Sequence, residues 1–411
     1  VSTSPIYLDH AATTPMSDAA LAAMTHELAQ TGNPSSLHGA GRRAHRVMEE
    51  SRERLAAAAG AHPSEVIFTS GGTESDNLAL KGLYWARNGA DARRTRILVP
   101  VIEHHAVLDT AEWLAAHEGA TITWLPVTSD GVIDLEVLAA EIARDPASIA
   151  LLTCMWANNE VGSVQPIAEV VALAGPAGIP VHSDAVQAFT ALPISFADSG
   201  LATMAVSGHK IGGPVGIGAL FVRRDAVLTP IQHGGGHERA LRSGTLNAAA
   251  AAGFAAAATE ATANLAAETE RLASLRDALV AGVHERIPEA VFNGTADPAH
   301  AGTRLPGNAH FTFPGCEGDS LLFVLDMLGV HSSTGSACTA GVPRPSHVLL
   351  AMGRDEETAR GAQRFTLGHT SSAADIGKLV AALPEAYARA QKAGMAAQVS
   401  SIQTAGTGFT R

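Results

Sequence analysis

At 411 residues the chain is too long for one hydrophobic core, so about two domains are expected. Hydrophobic residues make up 46% and charged residues 17%, the balance of a compact globular protein and not of a disordered one. A formal net charge of −12 argues against bulk nucleic-acid binding and against docking on an acidic membrane, and admits small anionic ligands only where positive groups are gathered.

The start, from Val1 to Asp9, lacks the basic-then-apolar layout of a signal peptide. Short apolar runs then recur between amphipathic stretches. Val66–Thr69, Arg96–Val99, Thr121–Leu125, Ile149–Met155, Pro180–His182 and Gly218–Val222 read as buried strands, and Met204-Ala205-Val206 as a further one. Helical patterns lie between them at Glu74–Arg87, Ala106–His117, Leu135–Ala143 and Ile167–Leu173. Such alternation favours an α/β fold with a largely parallel sheet covered on both faces.

After about Thr245 the pattern changes. Asn247–Ile287 is a long alanine-rich helical stretch with a break expected near Gly253 or Asn264. Its run of small apolar residues from Ala248 to Ala258 is too short to span a bilayer. A strand at Asn308–Phe313, a helix at Gly318–Leu328, a strand at Gln363–Leu367 and a helix over Ala373–Ala393, broken or kinked at Pro384, predict a smaller α+β domain. The Ser/Thr/Gly/Gln-rich tail from Ala396 is expected to be mobile. Cys154, Cys316 and Cys338 form neither a disulfide framework nor a CxxC pattern, and a reducing cytoplasm is the expected location.

Five constellations carry chemistry. Lys210, in Ser207-Gly-His-Lys just past a buried strand, is placed to be desolvated, which lowers its pKa and frees its amine as a nucleophile. A lone lysine on a glycine-rich turn is more often a surface residue. Asp184 ends the preceding strand, where α/β proteins bind ligands, and suits a protonated pyridine nitrogen; alone it reads as a cap or turn residue. Gly71-Gly72-Thr73, between a strand and a helix, offers backbone N–H groups to a single phosphate, or is an ordinary capped helix start with Ser70 or Thr73 as the cap. His104, in Glu103-His-His, ends another strand and is suited to stacking on a planar ring and to moving protons. A metal site from His104, His105, His182 and His209 matches no compact ligand spacing, and no metal is expected. Cys338 stands among small residues, Thr334-Gly-Ser-Ala-Cys-Thr-Ala-Gly341, as a thiol on a flexible loop, unlike Cys154 in its apolar run.

These residues, with Tyr7-Leu-Asp-His-Ala-Ala-Thr-Thr-Pro15, Asn33–His38, Gly71–Glu74, Asn158-Asn-Glu160, Gln187 and Gly234–Thr245, resemble the cysteine desulfurases of the NifS/IscS type. These belong to the class V aminotransferase-like branch of fold-type I pyridoxal enzymes. The resemblance implies a large domain (16–260) with a mostly parallel seven-stranded sheet, and a smaller α+β domain (1–15 and 261–395) carrying the cysteine loop. It implies that Lys210 binds pyridoxal 5'-phosphate covalently and that Asp184 pairs with its ring nitrogen. Gln187 and Asn159 would address the ring oxygen, and His104 would stack on the ring and carry protons. Gly72, Thr73, Ser207 and His209 would hold the phosphate. Thr245 would reach it from the neighbouring subunit of a homodimer, and Arg364, helped by Asn33, would grip the carboxylate of L-cysteine.

The implied reaction gives alanine and a persulfide on Cys338, passed to a sulfur-acceptor protein, an iron–sulfur scaffold or sulfur carrier. Thr334, where serine is common, His369, where arginine or lysine is common, and the C-terminal tail depart from the family pattern and bear on the acceptor. An aminotransferase or β-lyase on the same fold has no need of a nucleophilic loop thiol. A binding protein that had lost the reaction would not keep Lys210, Asp184, His104, Cys338 and Arg364 together.

Overall fold

The computed structural model describes residues 5–295, 302–335 and 345–405, with side chains as far as 393. Its centre is a seven-stranded sheet in the order Val66–Thr69, Gly218–Val222, Thr203–Ser207, Val181–Asp184, Ile149–Thr153, Arg96–Pro100, Thr121–Leu125. Gly218–Val222 runs antiparallel to both neighbours, and the other pairings are parallel. Six of the strands are buried along their whole length, which is why they read as unbroken apolar runs. Thr121–Leu125, one of the two edge strands, is exposed at Thr121 and Trp124.

Side chains alternate across the sheet. Ile67, Ile97, Val99, Leu151, Ala205 and Leu220 face Leu78, Leu83, Val107 and Leu114 of the helices Gly72–Ala90 and His105–Glu118. Phe68, Leu98, Leu152, Met204 and Phe221 face Met48, Leu55, Val170 and Phe254 of the helices Gly39–Ala58, Ile167–Ala174 and Ala248–Ala263.

A second core lies on a three-stranded antiparallel sheet, Ala362–Thr366, Asn308–Thr312 and Val291–Phe292. Leu279, Phe311, Phe313, Leu325, Phe365 and Leu379 pack there with the helices Leu265–Arg286, Gly318–Met327 and Ala373–Ala405. The N-terminal strand Ile6–Tyr7 pairs in parallel with Val330–His331 and joins this core.

Two long helices are missing from the sequence reading, Asp18–Leu28 and Gly39–Ala58, besides the short ones at Phe196–Ser199, His347–Ala351 and Glu356–Arg360. The second is strongly polar and buries a narrow stripe of Gly41, Ala44, Met48, Ser51 and Leu55, too few apolar residues to show a pattern. Of the two expected breaks in the alanine-rich stretch, Asn264 is the real one. Gly253 continues its helix, and a Cβ there would lie 2.8 Å from Pro214 Cγ, so the glycine serves close packing. The last helix overruns its expected end at Ala393 and reaches Ala405, with Pro384 inside it. Met395 to Gln398 are good helix formers, and no proline follows Pro384.

Candidate active site

The C-terminal ends of the parallel strands open onto a cavity of about 390 Å³ that contains Lys210, Asp184 and His104. The strand Thr203–Ser207 ends in a tight turn, Gly208–Lys210, which lifts Lys210 over the strand ends. Its Nζ donates to the carbonyls of Ala11 (2.5 Å) and Ala12 (2.8 Å) in the N-terminal segment. Burial, aided by the charge of Arg364, lowers its pKa to about 8, against the opposing pull of Asp184 and Asp9. Asp184 closes its strand and accepts from Val186 N at 2.9 Å. Burial and then the charge of Asp76 raise it to about 7, while His104 acts the other way.

At the far end of the cavity Gly72 and Thr73 begin the 19-residue helix Gly72–Ala90. Neither Ser70 nor Thr73 caps it. Gly71 is the N-cap, at φ 157 and ψ −177, and no side chain closes the first turn, so its N–H groups stay available to an anion. Gly72 packs closely, since a Cβ there would lie 2.8 Å from Val186 Cγ2 and force that side chain to shift. Ser70 N donates to Glu74, which pairs with Arg242 at 2.8 Å and so ties this turn to the 234–245 segment. Ser207 Oγ is buried beside the turn with no partner among the described residues. His209 bonds Thr13 Oγ1 at 3.3 Å, and burial followed by the Lys210 charge lowers its pKa to about 4.

His104 is the N-cap of His105–Glu118, and its Nδ1 accepts from Ala106 N at 3.1 Å, which leaves the proton of the neutral ring on Nε2. Burial lowers its pKa, partly offset by Asp184. Gln187 Nε2 donates to Ala11 O at 3.0 Å, and Asn159 lines the same cavity. Arg364, on the strand Ala362–Thr366, reaches in from the second core; it donates to Asn159 O at 2.7 Å and pairs with Asp9 at 2.9 Å.

Gly72, Thr73, His104, Asn159, Asp184, Gln187, Ser207, His209, Lys210 and Arg364 therefore share one cavity. Asn33 and Thr245 are exposed and line no part of it within a single chain. Cys338 and its loop lie outside the described residues; Ser333 and Gly335 before the loop and His347 after it line the cavity. Sequence reasoning missed Asp76 and His347 in the cavity wall and Asp9 against Arg364. Asp9 stands in the quoted N-terminal motif, and Asp76 two residues after Glu74, so their positions were visible but their partners were not.

A buried lysine and a strand-end aspartate share one cavity with an uncapped helix N-terminus, the arrangement of an enzyme site with a reactive amine beside a place for an anionic group. The family model described as aminotransferase class-V matches residues 6–379, and the chain belongs to that family, in its IscS/NifS cysteine desulfurase branch. The chain is 54% identical over 391 residues to the IscS-like cysteine desulfurase of Mycobacterium tuberculosis, covering 95% of this chain and 98% of the relative. It is 38% identical to the cysteine desulfurase NifS of Azotobacter vinelandii, with 93% of each chain covered. Among solved structures, a NifS-like protein superposes with a TM-score of 0.84 at 33% identity, covering 93% of this chain and 98% of the other. A structure of SspA in complex with cysteine gives a TM-score of 0.75 at 33% identity, over 88% and 98%.

Pyridoxal 5'-phosphate is the cofactor of this family, and the residues fit it. The uncapped helix turn and the unpartnered Ser207 Oγ match a phosphate, the Lys210 amine with its lowered pKa matches the aldehyde, and the Asp184 carboxyl matches the ring nitrogen.

Proposed function

We propose that this enzyme removes sulfur from L-cysteine, releasing L-alanine and leaving a persulfide on Cys338 that passes to an acceptor protein, in the first place a scaffold for iron–sulfur cluster assembly. The observation that carries this reading is one cavity lined by Lys210, Asp184, His104 and Arg364 together with Ser333, Gly335 and His347, which flank the Cys338 loop. The cysteine-bound relative supports L-cysteine as the substrate. Cys154 and Cys316 are buried with thiols pushed up by burial, Cys316 to about 12, and so are unsuited to attack.

Pyridoxal phosphate, when bound, supplies the electron sink for charge developed on the amino acid's carbons. Gly72, Thr73, Ser207 and His209 would hold its phosphate, Asp184 its ring nitrogen and Gln187 and Asn159 its ring oxygen, with His104 beside its ring. Arg364, helped by Asn33, fixes the substrate carboxylate. Lys210 takes the Cα proton; with a pKa near 8 an appreciable share of its amine is unprotonated at neutral pH, and the carbonyls of Ala11 and Ala12 receive the ammonium that results. The Cys338 thiolate forms a bond to the substrate sulfur as the carbon–sulfur bond breaks. That bond's electron pair stays with the carbon fragment, which takes up protons to become alanine, and His104 moves the proton between the sulfur groups.

The proposed units are a large domain over 16–260 and a small one over 1–15 and 261–395. The protein works as a homodimer in which Thr245 completes the phosphate site of the neighbouring subunit; the exposure of Thr245 on its own chain supports that assignment. A reducing cytoplasm keeps the Cys338 thiol free to attack; among the described residues no helix is long and apolar enough to cross a membrane.

The test is alanine release from L-cysteine under a reductant, with L-alanine, L-serine and glutamate plus a keto acid as comparators. Stoichiometric alanine and sulfide from cysteine alone support the reading. Keto-acid-dependent amino transfer at a comparable rate would overturn it.

A further inference from the structure

A second buried carboxylate, Asp76, lies behind Asp184 in the wall of the same cavity. It stands on the second turn of the helix Gly72–Ala90 and is 1% exposed. His182 is two residues before Asp184 on one strand, so the two side chains leave the same face of the sheet. His182 Nε2 lies 3.2 Å from Asp76 Oδ1, and its Nδ1 lies 2.9 Å from Thr203 Oγ1 on the adjacent strand. His182 and Thr203 are both fully buried. The chain Thr203–His182–Asp76 thus runs from the neighbouring strand Thr203–Ser207 to the cavity wall.

The ionisable groups facing Asp76 are His182 and Asp184 from the strand Val181–Asp184 and Glu103 from the turn after Arg96–Pro100. Across the cavity, His104 and Lys210 act on Asp184. Three carboxyl groups in one dry volume do not all ionise, because each added negative charge is neither solvated nor fully paired. Glu103 accepts from Met155 N through one oxygen, and its other oxygen is buried without a partner among the described residues. Burial, then the charge of Asp184, raises its pKa well above the usual carboxylate range. Of the three, Asp184 and Asp76 line the cavity, and Asp184 stands at the end of its strand.

We infer that Asp76 is a positioning residue for the cofactor: with His182 it retains one proton, which keeps the pair uncharged and leaves Asp184 as the single anion opposite the ring nitrogen. This rests on the reading that Lys210 and Asp184 hold pyridoxal phosphate. The pair is neutral whichever member carries the proton. Burial favours the carboxyl, since it raises Asp76 to about 8 and lowers His182 to about 4. Thr203 then accepts from His182 Nδ1–H and fixes the tautomer that presents a bare Nε2 to Asp76. Loss of the proton at alkaline pH sets a second negative charge behind Asp184, which changes the field on the ring and hence its absorption. A pair that only packed the core would leave the spectrum untouched.

The experiment is a pH titration of the visible absorption of the cofactor-loaded protein, for wild type, Asp76→Asn and Thr203→Val. Asparagine keeps the shape and a hydrogen bond to His182 but has no proton to lose. The wild type is expected to show, besides the titration of the Lys210 linkage, a transition with its midpoint near pH 8. Asp76→Asn is expected to lose that transition. Thr203→Val, which leaves His182 Nδ1–H without its acceptor, is expected to move the midpoint lower. Wild type and Asp76→Asn titrating with the same number of transitions and the same midpoints would overturn the inference alone. A wild type that takes up no cofactor would overturn the reading of the site and the inference with it. Should Asp76→Asn not fold, the Thr203→Val midpoint decides: a value equal to that of the wild type overturns the inference.

Discussion

Arg364 is 4% exposed, and its guanidinium is already aimed by two acceptors, Asn159 O and the Asp9 carboxylate. A planar fork held this way meets a carboxylate through two parallel hydrogen bonds, whereas a lysine ammonium reaches the same place as a point charge. Arg364→Lys is therefore expected to raise the KM for L-cysteine by about ten-fold or more, since a charged hydrogen bond contributes ~1.5–3 kcal/mol. Cofactor uptake, followed by visible absorption, should be unchanged. A KM within two-fold of wild type would assign the substrate carboxylate to another group. At this scale the sequence disclosed Lys210 and Asp184 because each follows a short apolar strand whose end can be read from composition alone. It did not disclose Asp9 or Asp76, because their partners Arg364 and His182 lie 355 and 106 residues away along the chain.

The helix Gly39–Ala58 shows the same limit among elements. Arg52 on this helix makes two hydrogen bonds to Glu238, at 2.6 and 2.9 Å, and a third to Val66 O at 2.7 Å. Glu238 Oε2 also accepts from Phe68 N at 2.7 Å. Glu238, Arg239 and Ala240 all have positive φ (48, 58 and 59), a left-handed run that costs non-glycine residues roughly 1–2 kcal/mol each. The Arg52–Glu238 pair holds that run, within the 234–245 segment, against the strand Val66–Thr69. Removing one partner of such a buried pair leaves a charge unpaired, so Arg52→Ala is expected to destabilise the protein by about 3–5 kcal/mol. Arg54→Ala, which loses only an exposed bond to Thr259, should stay within about 0.5 kcal/mol. The comparison is a thermal melt of the two variants, and equal Tm values would refute the clamp. A polar helix with its anchor in a distant loop carries too little apolar pattern to announce itself, unlike the strands of the sheet, whose burial on both faces dictates their composition.

Across the whole molecule, the N-terminal segment joins the two cores at the site. Ile6–Tyr7 pairs beside Val330–His331 in the second core, while Ala11 and Ala12 hold Lys210 over the ends of the main sheet. Ser333, just before the Cys338 loop, exchanges backbone hydrogen bonds with Arg364, and Ser346, just after it, caps the helix His347–Ala351 and donates to Glu160. The residues on either side of the loop are thus fixed at the cavity that Arg364 and Glu160 also line. The alternation of strands and helices, and the change of pattern after Thr245, made the main sheet and the second core legible. The joining of the two by a few N-terminal residues was not, because it rests on backbone carbonyls, which have no signature in sequence.

The most direct measurement is mass spectrometry of the purified protein after exposure to L-cysteine without reductant, with alanine assayed in the same sample. One added sulfur atom on Cys338 and an equal amount of alanine are expected, with neither product from Lys210→Ala. A cofactor-loaded protein that releases alanine while Cys338 stays unmodified, or that forms neither product, would contradict desulfuration through Cys338.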